Sequence, residues 1–191
     1  TPIYPDPIDF NDYEGLHNNR DANPVAAETV SAINNFACAI SAQLLNTGDN
    51  ACCSPLSLYY ALALAAVGAG GETQSELLRL LGFDSAEELA QQCGNLYRQV
   101  YTDNGVSQLK IANSLWLDTN LEGQTVTFHQ NYLDTAAQDF YASVYQAEFG
   151  SEATNRAMGQ WVADNTSGKL QPEFQTDSEM ILSILNTVYF H

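Results

Sequence analysis

Positive charge is scarce in this chain: 6 Lys and Arg stand against 23 Asp and Glu, a formal net charge of −17. A surface so short of cations repels phosphate backbones and anionic lipid, which argues against nucleic acid and membrane surfaces as partners. The acid excess keeps the chain in solution, with recruitment of basic proteins as the alternative. Long apolar runs are missing too. No stretch reaches the roughly 18 uninterrupted apolar residues of a membrane helix. The amino terminus lacks a basic start followed by an apolar run, so no uncleaved signal peptide is expected within these residues. A processed chain would look the same, so this absence assigns no compartment. Cysteine is limited to Cys38, Cys52, Cys53 and Cys93, with no CxxC and no histidine at ligand spacing. Three of the four sit in apolar segments and are expected to pack as small hydrophobes, while a disulfide from Cys38 to one of the adjacent pair stays open. His17, His129 and His191 are too scattered for a metal site, and neither metal nor cofactor is expected.

What is present suffices for one cored domain: 191 residues, 45% of them hydrophobic and 10% aromatic. Residues 1–24, punctuated by Pro2, Pro5, Pro7 and Pro24 and rich in Asp and Asn, read as a flexible tail. From Val25 the texture changes, and Val30, Ile33, Ala37, Ile40 and Leu44 form one helical stripe closed by residues 46–50. A short strand, Ala51-Cys52-Cys53, leads into Ser54-Pro55, where a hydroxyl cap and a proline at the first helical position start a helix. That helix runs to about Val67 without a charged residue on any face, which places it inside the domain. Thr73-Gln74-Ser75-Glu76 and Ser85-Ala86-Glu87-Glu88 have capping-box spacing and predict two further helices, the first closed by Gly82.

Leu109, Ile111, Asn113, Leu115 and Leu117 alternate as a strand does. Helical spacing returns from Thr127 to about Phe140, a short strand follows over Val144 to Phe149, and a helix carries Ala153, Ala157, Trp161 and Val162. Met180 to Phe190 is almost continuously apolar, the pattern of a strand buried on both faces at the centre of a sheet. Left without a partner beyond His191, such a strand would be an aggregation template. The reading therefore expects an incomplete chain, with a second polypeptide completing the sheet or the sequence being one piece of a cut molecule.

Four blocks in this order carry a resemblance. Ser54-Pro55-Leu56-Ser57-Leu58, followed by Ala61-Leu62-Ala63-Leu64 and Gly68-Ala69-Gly70-Gly71-Glu72-Thr73, is one. Ile111-Ala112-Asn113-Ser114-Leu115-Trp116 is the second, and Trp161-Val162-Ala163-Asp164-Asn165-Thr166-Ser167-Gly168-Lys169-Leu170 the third. Leu185-Asn186-Thr187-Val188-Tyr189-Phe190-His191 is the fourth. Together they resemble the serpins over Val25 to His191, the amino-terminal half of a serpin domain. Leu58, the Cys52-Cys53 pair and His191 depart modestly from the family pattern. The resemblance implies an α+β fold, helices packed on a large central sheet, and no catalytic residue.

The implied parent is a secreted inhibitor of serine proteases that acts once per molecule: a protease cleaves a reactive loop, which inserts as a strand into the main sheet. The strand ending at Phe190 resembles one of the two that part, and Ser54, Ser57 and Asn186 match the shutter positions beneath the opening. The reactive loop and its hinge lie outside the sequence. A non-inhibitory storage, carrier or chaperone-like serpin therefore stays open. Ser54 lacks the glycine-flanked turn of a nucleophile elbow, and no His and Asp partner it. Trp161 reads as core. Arg98 against Glu87 and Glu88 implies no heparin activation. Asn165-Thr166-Ser167 fits a glycosylation sequon.

Overall fold

The computed structural model describes residues 4–46 and 52–191. Helices α1 (Tyr13–Ala22), α2 (Ala27–Leu44), α3 (Pro55–Gly68), α4 (Gly71–Leu81) and α5 (Ala86–Val100) come first. Strands β1 (Thr102–Asp103), β2 (Gln108–Leu117), β3 (Asn120–Leu121) and β4 (Gln124–Thr125) follow. Then come helix α6 (Gln130–Asp139), strand β5 (Ala142–Gln146), helix α7 (Glu152–Asn165) and strand β6 (Leu182–Phe190).

The caps work as their chemistry requires. Ser54 Oγ accepts from the Ser57 amide at 3.2 Å ahead of Pro55, and Ser85 Oγ accepts from the Glu88 amide at 3.1 Å. Gly82 ends α4 in the left-handed region at φ 80°, where a side chain would be strained and a Cβ would lie 2.7 Å from that of Ala32. The Thr73 capping box is not used: α4 already begins at Gly71, and Ser75 Oγ donates back to the Gly71 carbonyl at 3.1 Å. Cys52 and Cys53 are not in a strand, and Ala51 lies outside the described residues.

Helix α1 occupies the stretch read as a tail. It buries no residue, so no apolar stripe announced it. Polar side chains tie this stretch to α5 instead. Asn19 Nδ2 donates to the Arg98 carbonyl at 2.8 Å, one of the orphan acceptors at the end of α5. Asn95 Nδ2 donates to the Pro24 carbonyl at 2.7 Å, and Gln92 Oε1 accepts from the Ala26 amide at 2.8 Å. The cysteine expectation needs correcting as well. Only Cys93 is buried, with burial raising its thiol pKa; Cys38 and Cys52 are exposed, Cys53 is half-buried, and all four are free.

Strand β2 is the middle of the sheet. Along one edge it pairs antiparallel with the whole of β6, from Leu109 opposite Phe190 to Leu117 opposite Leu182. Along the other it pairs with β1 at Leu109 and in parallel with β5 from Asn113 to Leu117. Every β2 residue from Ile111 to Leu117 is buried. Period-two alternation then sorts the two faces. Ile111, Leu115 and Leu117, with Leu182, Ile184 and Val188 of β6, join the main core with Tyr59, Tyr60 and Leu64 of α3 and residues of α2 and α4–α6. Ala112 and Trp116, with Leu185, pack under Met158, Trp161 and Val162 of α7. The result is three layers: α2–α6, sheet, α7.

The sequence expectation for β6 is met only in part. It is long and apolar, but most of its residues are half-buried, because its outer edge carries no paired strand among the described residues.

Candidate functional site

Polar side chains interrupt the apolar face of the sheet at one level. Asn113 and Asn186 lie directly opposite each other in the β2–β6 register, on the face turned toward α3. Asn186 Nδ2 donates to Asn113 Oδ1 at 2.5 Å, and Asn113 Nδ2 donates to the Phe140 carbonyl, at the end of α6, at 2.7 Å. From the other side the Ser57 hydroxyl donates to Asn186 Oδ1. Ser57 stands in the first turn of α3, and its amide is the one that Ser54 Oγ caps. One chain of bonds thus runs Ser54–Ser57–Asn186–Asn113–Phe140, linking α3, β6, β2 and the end of α6.

Both ends of the chain have local causes. Pro55 fixes the first turn of α3 and directs Ser57 at the sheet, while the charge-free helix behind it buries Tyr59, Tyr60, Ala63, Leu64 and Ala66. Buried phenols pin this framework through backbone acceptors. Tyr59 OH donates to the Leu81 carbonyl at 2.8 Å, Tyr60 OH to the Cys93 carbonyl at 2.9 Å, and Tyr97 OH to the Ile111 carbonyl. Burial holds all three far above the usual tyrosine pKa, so they remain neutral donors.

Of the sequence candidates, the structure brings Ser57 and Asn186 into direct contact, with Ser54 one hydrogen bond behind. Asn113, the most buried member at 2% exposure, was not singled out. Its signal was available: it is the one amide on an otherwise apolar alternating face, Leu109, Ile111, Leu115 and Leu117 being the rest. The Phe140 carbonyl could not have been found, since a backbone acceptor has no sequence signature.

The arrangement holds no nucleophile activated by a base. Among the described residues no group of three or more His, Cys, Asp or Glu is placed to hold a metal, and no helix is long and apolar enough to cross a membrane. What the arrangement can do is exchange hydrogen bonds. A half-buried serine, the half-buried Asn186 and the buried Asn113 can re-pair if β6 shifts against β2 or α3, whereas an apolar seam would leave no such alternative.

Asn165, the sequon residue, is 6% exposed. Its Nδ2 donates to the Trp161 carbonyl at 2.7 Å and its Oδ1 accepts from Tyr4 at 2.8 Å, so neither amide atom is free for a glycan. Trp161 is core, as its spacing indicated. Arg98 is engaged internally: Nε donates to Tyr141 OH at 2.8 Å, Nη2 to the Gln138 carbonyl at 3.0 Å, and its guanidinium lies 3.9 Å from Asp139.

Comparison with known proteins agrees with this architecture. The family model described as serpin (serine protease inhibitor) matches residues 31–191. Serpin A11 of Mus musculus is 31% identical over 183 residues, covering 91% of this chain and 42% of its own length. Leukocyte elastase inhibitor A of Mus musculus is 31% identical over 143 residues, covering 72% of this chain and 36% of its own. The Arabidopsis AtSerpin1 structure in its native stressed conformation superposes with a TM-score of 0.72 at 25% identity, over 85% of this chain and 43% of that one. The chain therefore spans less than half the length of these relatives. Their family is one of protease inhibitors, not enzymes. With the family model matched from Ser31 to the last residue and the α+β sheet seen in solved relatives, the chain belongs to the serpin family.

Proposed function

We propose that this chain is the amino-terminal part of a secreted serine protease inhibitor, and that the outer edge of β6 is where the cleaved reactive loop enters as a new strand. The observation that carries the reading is the bonded chain Ser57–Asn186–Asn113, set against a strand whose second edge is unpaired among the described residues. Insertion of a cleaved loop into a serpin sheet is a standing example of strand addition, in which main-chain hydrogen bonds drive the conformational change.

In this scheme Asn186 and Asn113 hold β6 in register on β2, while Ser57, fixed by the Ser54 cap, holds β6 to α3. Movement of β6 would replace the Ser57–Asn186 bond by one to the incoming strand or to a neighbouring amide. No buried polar atom would then be stranded for long. The remaining length of the protein would supply the strand that pairs with β6 before cleavage, either as continuous chain or as a second polypeptide. Its partners would be a serine protease and that complementary segment, with no nucleic acid, membrane or heparin involved.

The test is to mix the complete protein with a panel of serine proteases and look for a complex that survives denaturing electrophoresis. Such a complex supports the inhibitor reading. Simple cleavage of the loop by every protease, without a stable adduct, favours a non-inhibitory serpin instead.

A further inference from the structure

The amino-terminal segment reaches across the molecule to the last turn of α7. Tyr4 OH donates to Asn165 Oδ1 at 2.8 Å, 161 positions away in sequence. Its ring stacks on Tyr101 with centroids 5.4 Å apart. Lys110 Nζ, 2.8 Å from Asp103, lies 6.0 Å from the Tyr4 ring centroid. Tyr101 is the carboxy-terminal cap of α5, and Lys110 sits on β2 next to its pairing with β1. One side chain therefore joins α7 to α5 and the β1–β2 hairpin.

Asn165 is oriented to receive it, because its own Nδ2 is held by the Trp161 carbonyl. Burial, then the neighbouring Tyr101 and Asp103, push the Tyr4 phenol up to about 12, so it stays a donor at physiological pH. The other contacts holding α7 down are mainly apolar. In that cluster Trp161 Nε1 is buried with no hydrogen-bond partner among the described residues, so it adds no polar anchor. At its opposite end α7 is tied to the returning chain, with Asn155 Oδ1 accepting from the Thr176 amide at 3.0 Å and its hydroxyl at 2.7 Å.

We infer that the segment carrying Tyr4 is a strap that holds α7 down on the sheet and sets how readily the sheet beneath it rearranges. The second half of that statement rests on the proposed entry of a strand at β6. Helix α7 and the chain after it, through Phe174 and Met180, cover the Leu185 face of β6, so a strand joining that edge has to pass beneath them. Releasing Tyr4 removes a polar tie from the end of α7 that also carries Trp161.

The experiment compares the complete wild-type protein with Tyr4→Phe, which keeps the stacked ring, and Tyr4→Ala, which keeps neither contact. Two rates are read: hydrogen exchange of the amides in the last turns of α7, and uptake of a synthetic peptide copying the protein's own reactive loop. Loss of one hydrogen bond predicts roughly fivefold faster exchange in Tyr4→Phe, more in Tyr4→Ala, and faster peptide uptake in the same order. Unchanged exchange in both variants overturns the strap. Faster exchange with unchanged uptake overturns its control of the sheet. If the wild type takes up no peptide, the proposed function fails, and the exchange rates alone decide the strap.

Discussion

A buried amide is the most demanding side chain in this seam, because each atom left without a partner costs more than the bond it makes. Asn186, half-buried and bonded at both ends of its amide, illustrates the asymmetry. Truncating it to alanine removes the acceptor of Ser57 and the donor to Asn113 together. Asn186→Ala in the complete protein is expected to lose about 1–3 kcal/mol in denaturant unfolding and to change the rate of loop insertion. If both stayed at wild-type values, the shutter role would have to be abandoned. Asn165 makes the opposite kind of prediction. With both amide atoms bonded inside the fold, protein from a eukaryotic secretory host should show no mass loss at this site after N-glycosidase treatment. A glycan found there would mean that α7 ends differently from the structure described. At this scale the sequence was informative wherever side chains carry the contact. Ser57 and Asn186 are legible through the family blocks, whereas the strand pattern that contains Asn113 does not mark it as their partner. What hid it is that an interstrand register is a long-range property: nothing local states that residue 113 lies opposite residue 186.

Elements were most legible where apolar periodicity and caps agreed. The starts at Pro55 and Ala86 and the stop at Gly82 follow from serine hydroxyls, a proline and a left-handed glycine, all local chemistry. Gly82→Ala should therefore lose about 1–2 kcal/mol from backbone strain, with a further penalty from the contact with Ala32, measured by chemical denaturation. A neutral result would show that α4 can end without the left-handed turn. Helix α1 was missed because amide side chains of α5, not an apolar stripe, hold the stretch that contains it. Strand β6 was read correctly as long and apolar, but its burial was overstated. Continuous apolarity reports the environment a strand is suited to, and the faces of β6 are only half covered here, whereas shorter-looking β2 is buried from Ile111 to Leu117. The Thr73 box failed for a different reason. Its spacing was correct, but Gly71 allowed the helix to begin earlier, at a positive φ of 62° that other residues adopt at a cost.

Across the whole molecule, acid dominates, and three of the six Lys and Arg side chains are engaged by partners. Arg98 is bonded to Tyr141 and Gln138, Lys110 to Asp103, and Arg156 to Glu152. With −17 on these 191 residues, the complete protein is expected to pass through a heparin column at physiological salt, provided the remaining chain adds no basic cluster. Salt-sensitive retention that maps to α5 would overturn this. The three layers also give the central claim a direct physical signature. If the edge of β6 admits the cleaved loop, the product gains a strand's worth of main-chain hydrogen bonds, and the Ser57–Asn186–Asn113 chain closes around it. The deciding measurement is the thermal unfolding temperature of the complete protein before and after a protease has cut its reactive loop. The account predicts a large rise on cleavage, with the cut protein outlasting the intact one. An unchanged or lower unfolding temperature would contradict it, because the edge of β6 would then have gained no strand.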